Sequence, residues 1–477
     1  MSGIQRILSQ RWPWVTAAGL VVILFVFLSG IVSIRIGSPT PERPLGSVED
    51  IEKLAEREDL NVLFILIDTL RAEKMSVYGY ERPTTPFLDR LAREGIVFDK
   101  HLSQSSWTKC SMASLWTGLY PSRSGITRFE HVLSEEAELP AETFKKAGYK
   151  TTGLYRNGWV EGYFGFSQGF DVYVRPAPQI PDLAIRMSNP TIRVGGTDVD
   201  ALESAEEFIR IHGRERWFLY VHLMDIHEYL YDQLSAAFGS DHPDIYDNSI
   251  LRTDMILEEF FAVLEQGGYL DNTIVVIGSD HGEAFNERGL EGHARAVYRE
   301  TTMVPLIISL PFRLKEGIRV NQPTRNVDIW PTVFDLIGLD SPEYTDGQSQ
   351  VPTVLAAGRN EAPPIDSGIG FAHLDQTWGM RNRESAPTVA VSEGPYRLVH
   401  SARQNAPSFT TQELFNASED PLELTDLADE EPETTERLKR LALEYLADTP
   451  QWDDQPDDLE IDEVQLNQLR ALGYSVP

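Results

Sequence analysis

The sequence predicts an α/β protein: a doubly wound, mainly parallel sheet with helices on both faces, a small C-terminal α+β subdomain and one N-terminal transmembrane helix. Apolar runs alternate with segments of helical spacing between residues 61 and 310, which indicates the sheet. Shorter aromatic and β-branched segments follow from about residue 370, and an uncharged stretch lies near the N-terminus. The predicted divisions are a cytoplasmic N-terminus, an anchor, a linker, a main domain and a C-terminal subdomain with an acidic tail: residues 1–11, 12–34, 35–58, 59–365 and 366–477.

The anchor is the stretch WPWVTAAGLVVILFVFLSGIVSI, residues 12–34. It carries no charge over 23 residues, and about 20 apolar residues suffice to cross a bilayer. A cleaved signal peptide would have a shorter apolar region and a small-residue cleavage site, which we do not find, so we favour an uncleaved anchor. Arg6 and Arg11 precede it, which predicts a single-pass protein with a cytoplasmic N-terminus and its main domain extracytoplasmic, in the periplasm or at the cell surface.

Composition excludes several classes of protein. The chain of 477 residues has 73 acidic and 42 basic residues, a formal charge of −31, which argues against nucleic acid as a partner. A single cysteine, Cys110, excludes an intrachain disulfide and a four-cysteine zinc site. Residues 416–463 contain 18 acids and three basic residues. We interpret this segment as a solvated tail in preference to an acidic docking tail.

The individual elements follow from the apolar pattern. Continuous apolar runs predict buried strands, helical spacing predicts helices that end at glycines, and the last segments predict a small antiparallel unit. The predicted strands are Asn61–Ile67, Tyr149–Tyr155, Trp217–Leu223, Thr273–Gly278 and Pro305–Leu310; the helices are Thr85–Glu94 and Leu251–Leu264; the antiparallel unit spans Leu374–Thr388 and Thr388–His400. The final apolar stretch, Val464–Tyr474, is expected to pack back on the domain.

Two predicted strand ends deliver metal-ligand side chains. Asp68 follows the first strand, and Asp280-His281 follows TIVVIGS. The carboxyl ends of parallel strands share one edge of a sheet, so we expect these side chains to hold one divalent metal. Mixed oxygen and nitrogen donors favour Zn²⁺ or Mn²⁺ over Ca²⁺ or Mg²⁺. The alternative is that the aspartates cap helices and the histidine is structural.

A helix start and a set of histidines supply further candidates. In SWTKCSMASLWTG a small polar residue begins a helix, where a hydroxyl suits nucleophilic attack on an anionic ester, although it can equally be a simple cap. His222 and His227 flank Asp225, and His293 follows His281 by twelve residues. Imidazoles near a metal can bind ester oxygens or protonate a leaving group. We assign structural roles to the remaining histidines, His101, His131, His212, His242, His373 and His400.

Five blocks of the chain resemble consecutive blocks of the sulfatase family, within the alkaline phosphatase superfamily. They are NVLFILIDTLRAEKMSVYGY, TTPFLDRLAREGIVFDKHLSQSSWTKCSMASLWTGLYPSRSG, FLYVHLMDIHEY, DNTIVVIGSDHGEAF and GHARAVYRETTMVPLII. They cover residues 60–340, and the resemblance resumes in QELFNASEDPLELTDLAD and LRALGY. The resemblance implies an alkaline-phosphatase-like fold and one divalent metal held by Asp68, Asp280 and His281.

The resemblance also implies roles for the other candidates. It places Thr108 at the nucleophile, where sulfatases have a Cys or Ser that is converted to formylglycine within C-x-P-S-R. Cys110 and Met112 replace the Pro and Arg of that motif, so the usual formylglycine route is not expected. Threonine at this position resembles lipoteichoic acid synthases and phosphoethanolamine transferases. The implied catalytic residues are Thr108, His227 and His293, and the implied substrate-binding residues are Asn157 and Lys109.

Three functions remain open from the sequence. Phosphoryl transfer or hydrolysis through Thr108 is favoured. The second is sulfuric ester hydrolysis, through unmodified Thr108 or a modified Cys110 or Ser111. The third is a catalytically silent, membrane-anchored binding protein. The expected partner is an anionic ester, such as a lipid head group or an envelope polysaccharide, with the membrane itself bound through the anchor.

Overall fold

The computed structural model describes residues 43–176, 196–364, 368–380, 383–401 and 412–452. Its strands, in chain order, are β1 Leu45–Gly46, β2 Asn61–Ile67, β3 Ile96–Leu102, β4 Lys150–Leu154, β5 Val172–Val174, β6 Trp217–Leu223, β7 Thr273–Gly278, β8 Ala284–Phe285, β9 Glu291–Gly292, β10 Leu306–Ser309, β11 Arg313–Leu314, β12 Ile318–Arg325, β13 Gly370–Asp375, β14 Pro387–Glu393, β15 Tyr396–Ser401 and β16 Gln412–Asn416. Its α-helices are α1 Val48–Glu52, α2 Pro86–Arg93, α3 Thr108–Thr117, α4 Pro121–Ser124, α5 Pro140–Lys146, α6 Asp198–His212, α7 His242–Gln266, α8 Arg299–Thr302, α9 Ile329–Ile337, α10 Val351–Gly358 and α11 Pro432–Leu446.

A central sheet of eight strands organises the main domain. Its order is β12-β3-β10-β7-β2-β6-β4-β5. β2 is parallel to both of its neighbours, β6 and β7. β10 alone is antiparallel to both of the strands beside it, β3 and β7. The predicted mainly parallel sheet is therefore confirmed, and the strand predicted over Pro305–Leu310 is present as a shorter antiparallel strand.

Helices cover both faces of this sheet. Alternate residues of β2 enter two separate apolar clusters: Val62, Phe64 and Leu66 face one, and Leu63, Ile65 and Ile67 face the other. All seven residues of β2 are buried. This explains why the strand is a continuous apolar run without alternation of polar residues.

The long helix α7 exceeds its predicted bounds. The spacing predicted Leu251–Leu264, whereas α7 begins at His242 with Pro243 in its first turn. Tyr246 and Ile250 extend its buried face towards the N-terminus. The polar residues that lie between them hid this turn from the apolar pattern.

The prediction that residues 35–58 form a linker is wrong for part of the segment that the structure describes, residues 43–58. β1 pairs in parallel with β11, and α1 follows it. Ile51 and Leu54 are buried in the main apolar cluster, so this segment packs on the domain in spite of its Pro, Gly and Ser content. Among the described residues no helix is both long and apolar enough to span a membrane. The predicted anchor, residues 12–34, lies outside them.

The C-terminal part forms a second sheet. β13, β14, β15 and β16 pair antiparallel in that order, as the sequence predicted for this part of the chain. Leu438, Ala442 and Tyr445 of α11 lie in the same apolar cluster as residues of this sheet. The apolar stretch predicted to pack back, Val464–Tyr474, lies outside the described residues.

Candidate active site

Four parallel strands end at the same edge of the sheet, and each delivers a polar side chain there. Asp68 follows β2, Asp280 and His281 follow β7, His227 follows β6, and Asn157 follows β4. Chain segments at the carboxyl ends of parallel strands form the ligand site of open α/β sheets. The strand order therefore brings together residues that are far apart in the sequence.

Three of these side chains converge on one point. The His281 Nε2 atom lies 3.9 Å from Asp68 Oδ1 and 3.4 Å from Asp280 Oδ2. All three residues are fully buried. Asp68 Oδ1 and Asp280 Oδ2 have no hydrogen-bond partner among the described residues. Two buried carboxylate oxygens that face one imidazole nitrogen, with nothing else to satisfy them, fit a divalent cation.

The second oxygen of Asp68 is fully engaged. Asp68 Oδ2 lies 3.0 Å from His222 Nε2 and accepts a hydrogen bond from Asn157 Nδ2 at 2.7 Å. The other nitrogen of His222 lies 2.8 Å from the Tyr220 hydroxyl. Burial alone would raise the pKa of Asp68, but the hydrogen bond from His222 and the neighbouring imidazoles outweigh it, and the pKa lies below its usual range. Oδ1 is thereby left free and charged.

Two hydrogen bonds from other segments of the chain position Asp280. Its Oδ1 atom accepts a hydrogen bond from the Thr69 N–H at 3.3 Å, and its carbonyl accepts one from the Ser111 hydroxyl at 2.6 Å. Thr69 has a left-handed φ of 62°, which is rare for a β-branched residue. Burial and the charge of Asp68 raise the pKa of Asp280. A cation between the two carboxylates would remove this repulsion.

Thr108 is the first residue of α3, and its hydroxyl lies beside His281, one of the three candidate metal ligands. Its Oγ1 atom lies 3.1 Å from His281 Nε2 and 3.3 Å from Asn157 Nδ2. The Nδ1 atom of His281 lies 3.0 Å from the Gly282 carbonyl and must donate to it. His281 Nε2 therefore presents a lone pair to the metal position and to Thr108.

Two further histidines border the cluster on its more exposed side. The His293 ring stacks on His281 with ring centres 4.6 Å apart, and the His227 ring lies 5.0 Å from that of His293. His293 Nδ1 lies 3.0 Å from Glu283 Oε2. Burial alone would lower the pKa of His293, but the Glu283 charge outweighs it and raises the pKa. Burial lowers the pKa of His227 to about 4.

Lys109 is not brought into this cluster. Its ammonium donates to the Phe129 carbonyl at 2.6 Å and lies 3.5 Å from the centre of the Phe164 ring. Burial lowers its pKa well below the ordinary value. Lys109 and Thr108 are adjacent on one helix turn, so their side chains leave the axis in different directions. The structure therefore gives the predicted substrate-binding role of Lys109 no support.

The alternative nucleophiles of α3 are also turned elsewhere. The Cys110 thiol points to the His373 carbonyl at 3.8 Å, and burial raises its pKa to about 12. The Ser111 hydroxyl donates a hydrogen bond to the Asp280 carbonyl. Thr108 alone of these three directs a hydroxyl at His281.

The structure gives three residues around the site contacts that the sequence did not predict. His222 and Glu283 contact the predicted residues Asp68 and His293 directly. Arg156 joins two of the strand-end loops. His222 is the last residue but one of β6, and Glu283 lies within the Asp280-His281-Gly282-Glu283 segment, so the strand-end argument applied to every polar residue would have included both.

Comparison with known protein families gives two matches. The model described as Sulfatase matches residues 60–339. The model described as N-sulphoglucosamine sulphohydrolase, C-terminal, matches residues 292–448. The first match contains every residue of the cluster, and the second contains the C-terminal sheet and α11.

Individual relatives are similar over most of the chain. Arylsulfatase K of Xenopus laevis is 21% identical over 455 residues, which covers 82% of this chain and 83% of that protein. Among solved structures, a 2-O GAG sulfatase superposes with a TM-score of 0.67 at 19% identity, covering 82% of this chain and 92% of that one. The phosphonate monoester hydrolase of Silicibacter pomeroyi superposes with a TM-score of 0.62 at 20% identity, covering 81% and 95%.

Proposed function

Because the Sulfatase model covers residues 60–339, the chain belongs to the sulfatase family, and we propose that it is a metal-dependent hydrolase or transferase that attacks monoanionic phosphoric esters through Thr108. Its relatives and structural neighbours are ester hydrolases of one superfamily. One observation carries the proposal: the Thr108 hydroxyl lies 3.1 Å from His281 Nε2, beside two free carboxylate oxygens.

Asp68, Asp280 and His281 would hold the cation, with the Thr108 oxygen next to them. A divalent metal bound there would lower the pKa of the Thr108 hydroxyl and polarise the ester. Two carboxylates, one imidazole and one hydroxyl favour Zn²⁺ or Mn²⁺ over Ca²⁺, which prefers six to eight oxygen donors. The hydroxyl of Thr69 supports this choice, because it donates to the Asp68 carbonyl at 2.7 Å and adds no donor to the set.

The side chains around Thr108 supply the remaining groups for the reaction. Asn157 Nδ2, 3.3 Å from Thr108 Oγ1, orients this oxygen. The Thr108 hydroxyl gives up its proton to water and its oxygen attacks phosphorus, the bond to the leaving oxygen breaks, and the protonated His293 gives that oxygen a proton. Glu283 holds His293 Nδ1, so the far nitrogen Nε2 exchanges the proton, as in other carboxylate-imidazole pairs. The His227 ring binds a non-bridging oxygen.

The ester formed on Thr108 must then be cleaved by a second attack. Threonine has one hydroxyl, so the intermediate cannot collapse by elimination, as an ester of an aldehyde hydrate can. Water, or an acceptor alcohol in a transferase, attacks phosphorus, and His293 accepts its proton. The two aspartates would neutralise one divalent cation, which would leave no surplus positive charge at the site for a dianionic substrate. Monoanionic phosphodiesters and phosphonate monoesters therefore fit this site.

Sulfuric ester hydrolysis is the second candidate, because sulfate monoesters carry the same single charge. The names of the relatives, arylsulfatase K and a 2-O GAG sulfatase, favour it. It would also have to proceed through Thr108, since Cys110 and Ser111 are engaged elsewhere. The silent binding protein has no observation in its favour, because the whole cluster is intact.

The test compares two matched substrates. We would measure kcat/KM of the purified, Mn²⁺- or Zn²⁺-loaded protein on a nitrophenyl phosphodiester and on nitrophenyl sulfate, with Thr108→Ala as control. The proposal expects a higher kcat/KM on the phosphodiester and a loss of about 10³-fold or more in the variant. A higher kcat/KM on the sulfate, equally dependent on Thr108, would replace the proposal by the second candidate.

We further propose that the enzyme acts at a membrane surface, on a lipid head group or an envelope polysaccharide. The support is the uncharged stretch of residues 12–34 and the arginines before it. Protease added to cells that have been stripped of their outer layers but keep an intact cytoplasmic membrane should digest the main domain and spare the N-terminal residues. Complete protection of the domain would contradict this orientation.

A further inference from the structure

One buried guanidinium joins the loops that carry Asn157 and His227. Arg156 directly precedes Asn157 and is 2% exposed. Its Nη1 atom donates to Asp225 at 2.5 Å, and its Nη2 atom donates to Glu228 at 2.7 Å. Asp225 and Glu228 lie on either side of His227 in the sequence. The Arg156 side chain thus binds residues on both sides of His227, and the Arg156 backbone is joined directly to Asn157.

His227 lies on a tight turn that follows β6. The Glu228 N–H donates to the Met224 carbonyl at 3.1 Å, and the Leu230 N–H donates to the Asp225 carbonyl at 2.8 Å. Tyr229 has a left-handed φ of 53°. This turn lies outside the sheet and the helices, so its position depends on its hydrogen bonds with other segments of the chain.

A third segment closes the network. Asp198, the first residue of α6, accepts a hydrogen bond from Arg156 Nη1 at 2.5 Å and from the backbone N–H groups of Met224 and Asp225 at 2.7 and 2.9 Å. The Gly196 carbonyl accepts from Arg156 Nη2 at 2.7 Å. Arg156 therefore joins segments that follow β4 and β6 to the start of α6.

The charges of this network are interdependent. Asp198 and Asp225 are fully buried, and Arg252 also donates to Asp225. Removing one partner from a buried ion pair leaves an uncompensated charge, which moves or unfolds the surrounding segment. Glu228 is the exception, since its side chain is 34% exposed. Its removal loosens the contact beside His227 without stranding a buried charge.

We propose that Arg156 is a positioning residue, which fixes His227 and Asn157 relative to each other and to Thr108 through Asp225 and Glu228. The proposal rests on the proposed function, because it takes His227 and Asn157 to face the ester. It predicts that Arg156 acts only through these side chains. Among the described residues, Arg156 makes no hydrogen bond to Asp68, Asp280 or His281, so it does not itself hold the metal.

The experiment uses Glu228→Ala in the full-length, Mn²⁺-loaded protein, with Glu161→Ala as the matched control. Glu161 lies four residues after Asn157 and also pairs with an arginine, Arg175, at 2.6 Å. Within the described parts of the chain it makes no hydrogen bond to the His227 turn. We expect Glu228→Ala to lower kcat/KM on the ester by about tenfold and Glu161→Ala to leave it within about twofold. In a His227→Ala background the loss caused by Glu228→Ala should fall below about twofold.

A second readout does not depend on turnover. With labelled imidazoles, the His227 signal is identified among ten histidines by its loss in His227→Gln. Glu228→Ala should shift the His227 signal and weaken its contact with His293, whose ring centre is 5.0 Å away, while Glu161→Ala changes neither. Arg156→Lys, which keeps one charge but cannot reach every acceptor, should show the same change more strongly.

Each outcome decides one question. An unmoved His227 signal in Glu228→Ala, or an equal loss of kcat/KM with and without His227, would overturn the positioning role. A shifted His227 signal in a protein that turns over neither ester would support the positioning role and contradict the proposed function alone.

Discussion

Lys109 and Thr108 show how two adjacent residues of one helix differ in their chemical environment. The Thr108 hydroxyl lies 3.1 Å from His281 Nε2, whereas the Lys109 ammonium lies between a backbone carbonyl and an aromatic ring. We therefore expect Lys109→Met to leave KM within about twofold, because methionine keeps the contact with Phe164 and the substrate loses nothing. Steady-state kinetics measure this. A KM raised tenfold or more would restore Lys109 to the substrate site.

His222 is expected to act through Asp68. It holds Oδ2 and leaves Oδ1 for the cation. Residues that orient a metal ligand typically contribute 10- to 100-fold to metal affinity. We predict a loss of about that size in His222→Phe and retention of less than one equivalent of Zn²⁺ or Mn²⁺ in Asp280→Asn, measured by competition with a metal-sensitive dye.

The control for metal affinity is His242→Gln. His242 pairs with Glu291 at 2.7 Å and is 40% exposed, so its loss should leave metal affinity unchanged. Equal metal affinity in His222→Phe and in His242→Gln would contradict the role of His222.

At the scale of secondary structure, α7 caps α2. The Asp254 carboxylate on α7 accepts the Phe87 and Leu88 N–H groups at 2.8 and 2.9 Å. Asp254→Ala would leave both groups buried without a partner and should cost about 2 kcal/mol of unfolding free energy, with kcat/KM unchanged. Urea unfolding measures the cost. Glu258→Ala, one turn later and paired with the exposed Arg90, should cost less than about 0.5 kcal/mol.

The strand ends were the part of the site that sequence could predict. Continuous apolar runs mark β2, β6 and β7, and parallel strands share one edge, so Asp68 and Asp280-His281 had to meet. Contacts between side chains were not predictable. Nothing in the sequence shows that Lys109 turns to Phe129, or that Arg156 reaches Glu228, because both depend on how loops of very different sequence position fold back.

Element direction and minor elements were also beyond the sequence. The apolar run Pro305–Leu310 is equally compatible with a parallel and an antiparallel strand, and β10 runs antiparallel. The strands β3 and β12 carry charged residues and were not predicted. These two segments form strands because they pair with each other in parallel. Neither has the continuous apolar run that predicts a buried strand.

At the scale of the whole molecule, buried neutral histidines should make the fold sensitive to acid. Burial lowers the pKa of His101 to about 3 and that of His373 to about 4, against about 6.5 in an unfolded chain. Between these values the unfolded chain binds protons that the folded chain does not. The stability is therefore complete above about pH 6.5 and declines towards pH 4, by up to about 1.4 kcal/mol per pH unit for each histidine.

Urea unfolding at pH 7 and pH 5 tests this expectation. The variant His101→Gln/His373→Gln should lose less stability than the natural protein when the pH is lowered, even if it is less stable at pH 7. An identical pH dependence in both proteins would show that these histidines do not contribute.

The proposed reaction requires Thr108 to form a covalent ester during turnover. We would mix the metal-loaded protein with a ³²P-labelled nitrophenyl phosphodiester, quench with acid within the first turnover and locate the label by peptide mapping. We expect label on the peptide that contains Thr108, and none in Thr108→Ala. Label on another residue, or turnover of the ester in Thr108→Ala at the natural rate, would contradict it.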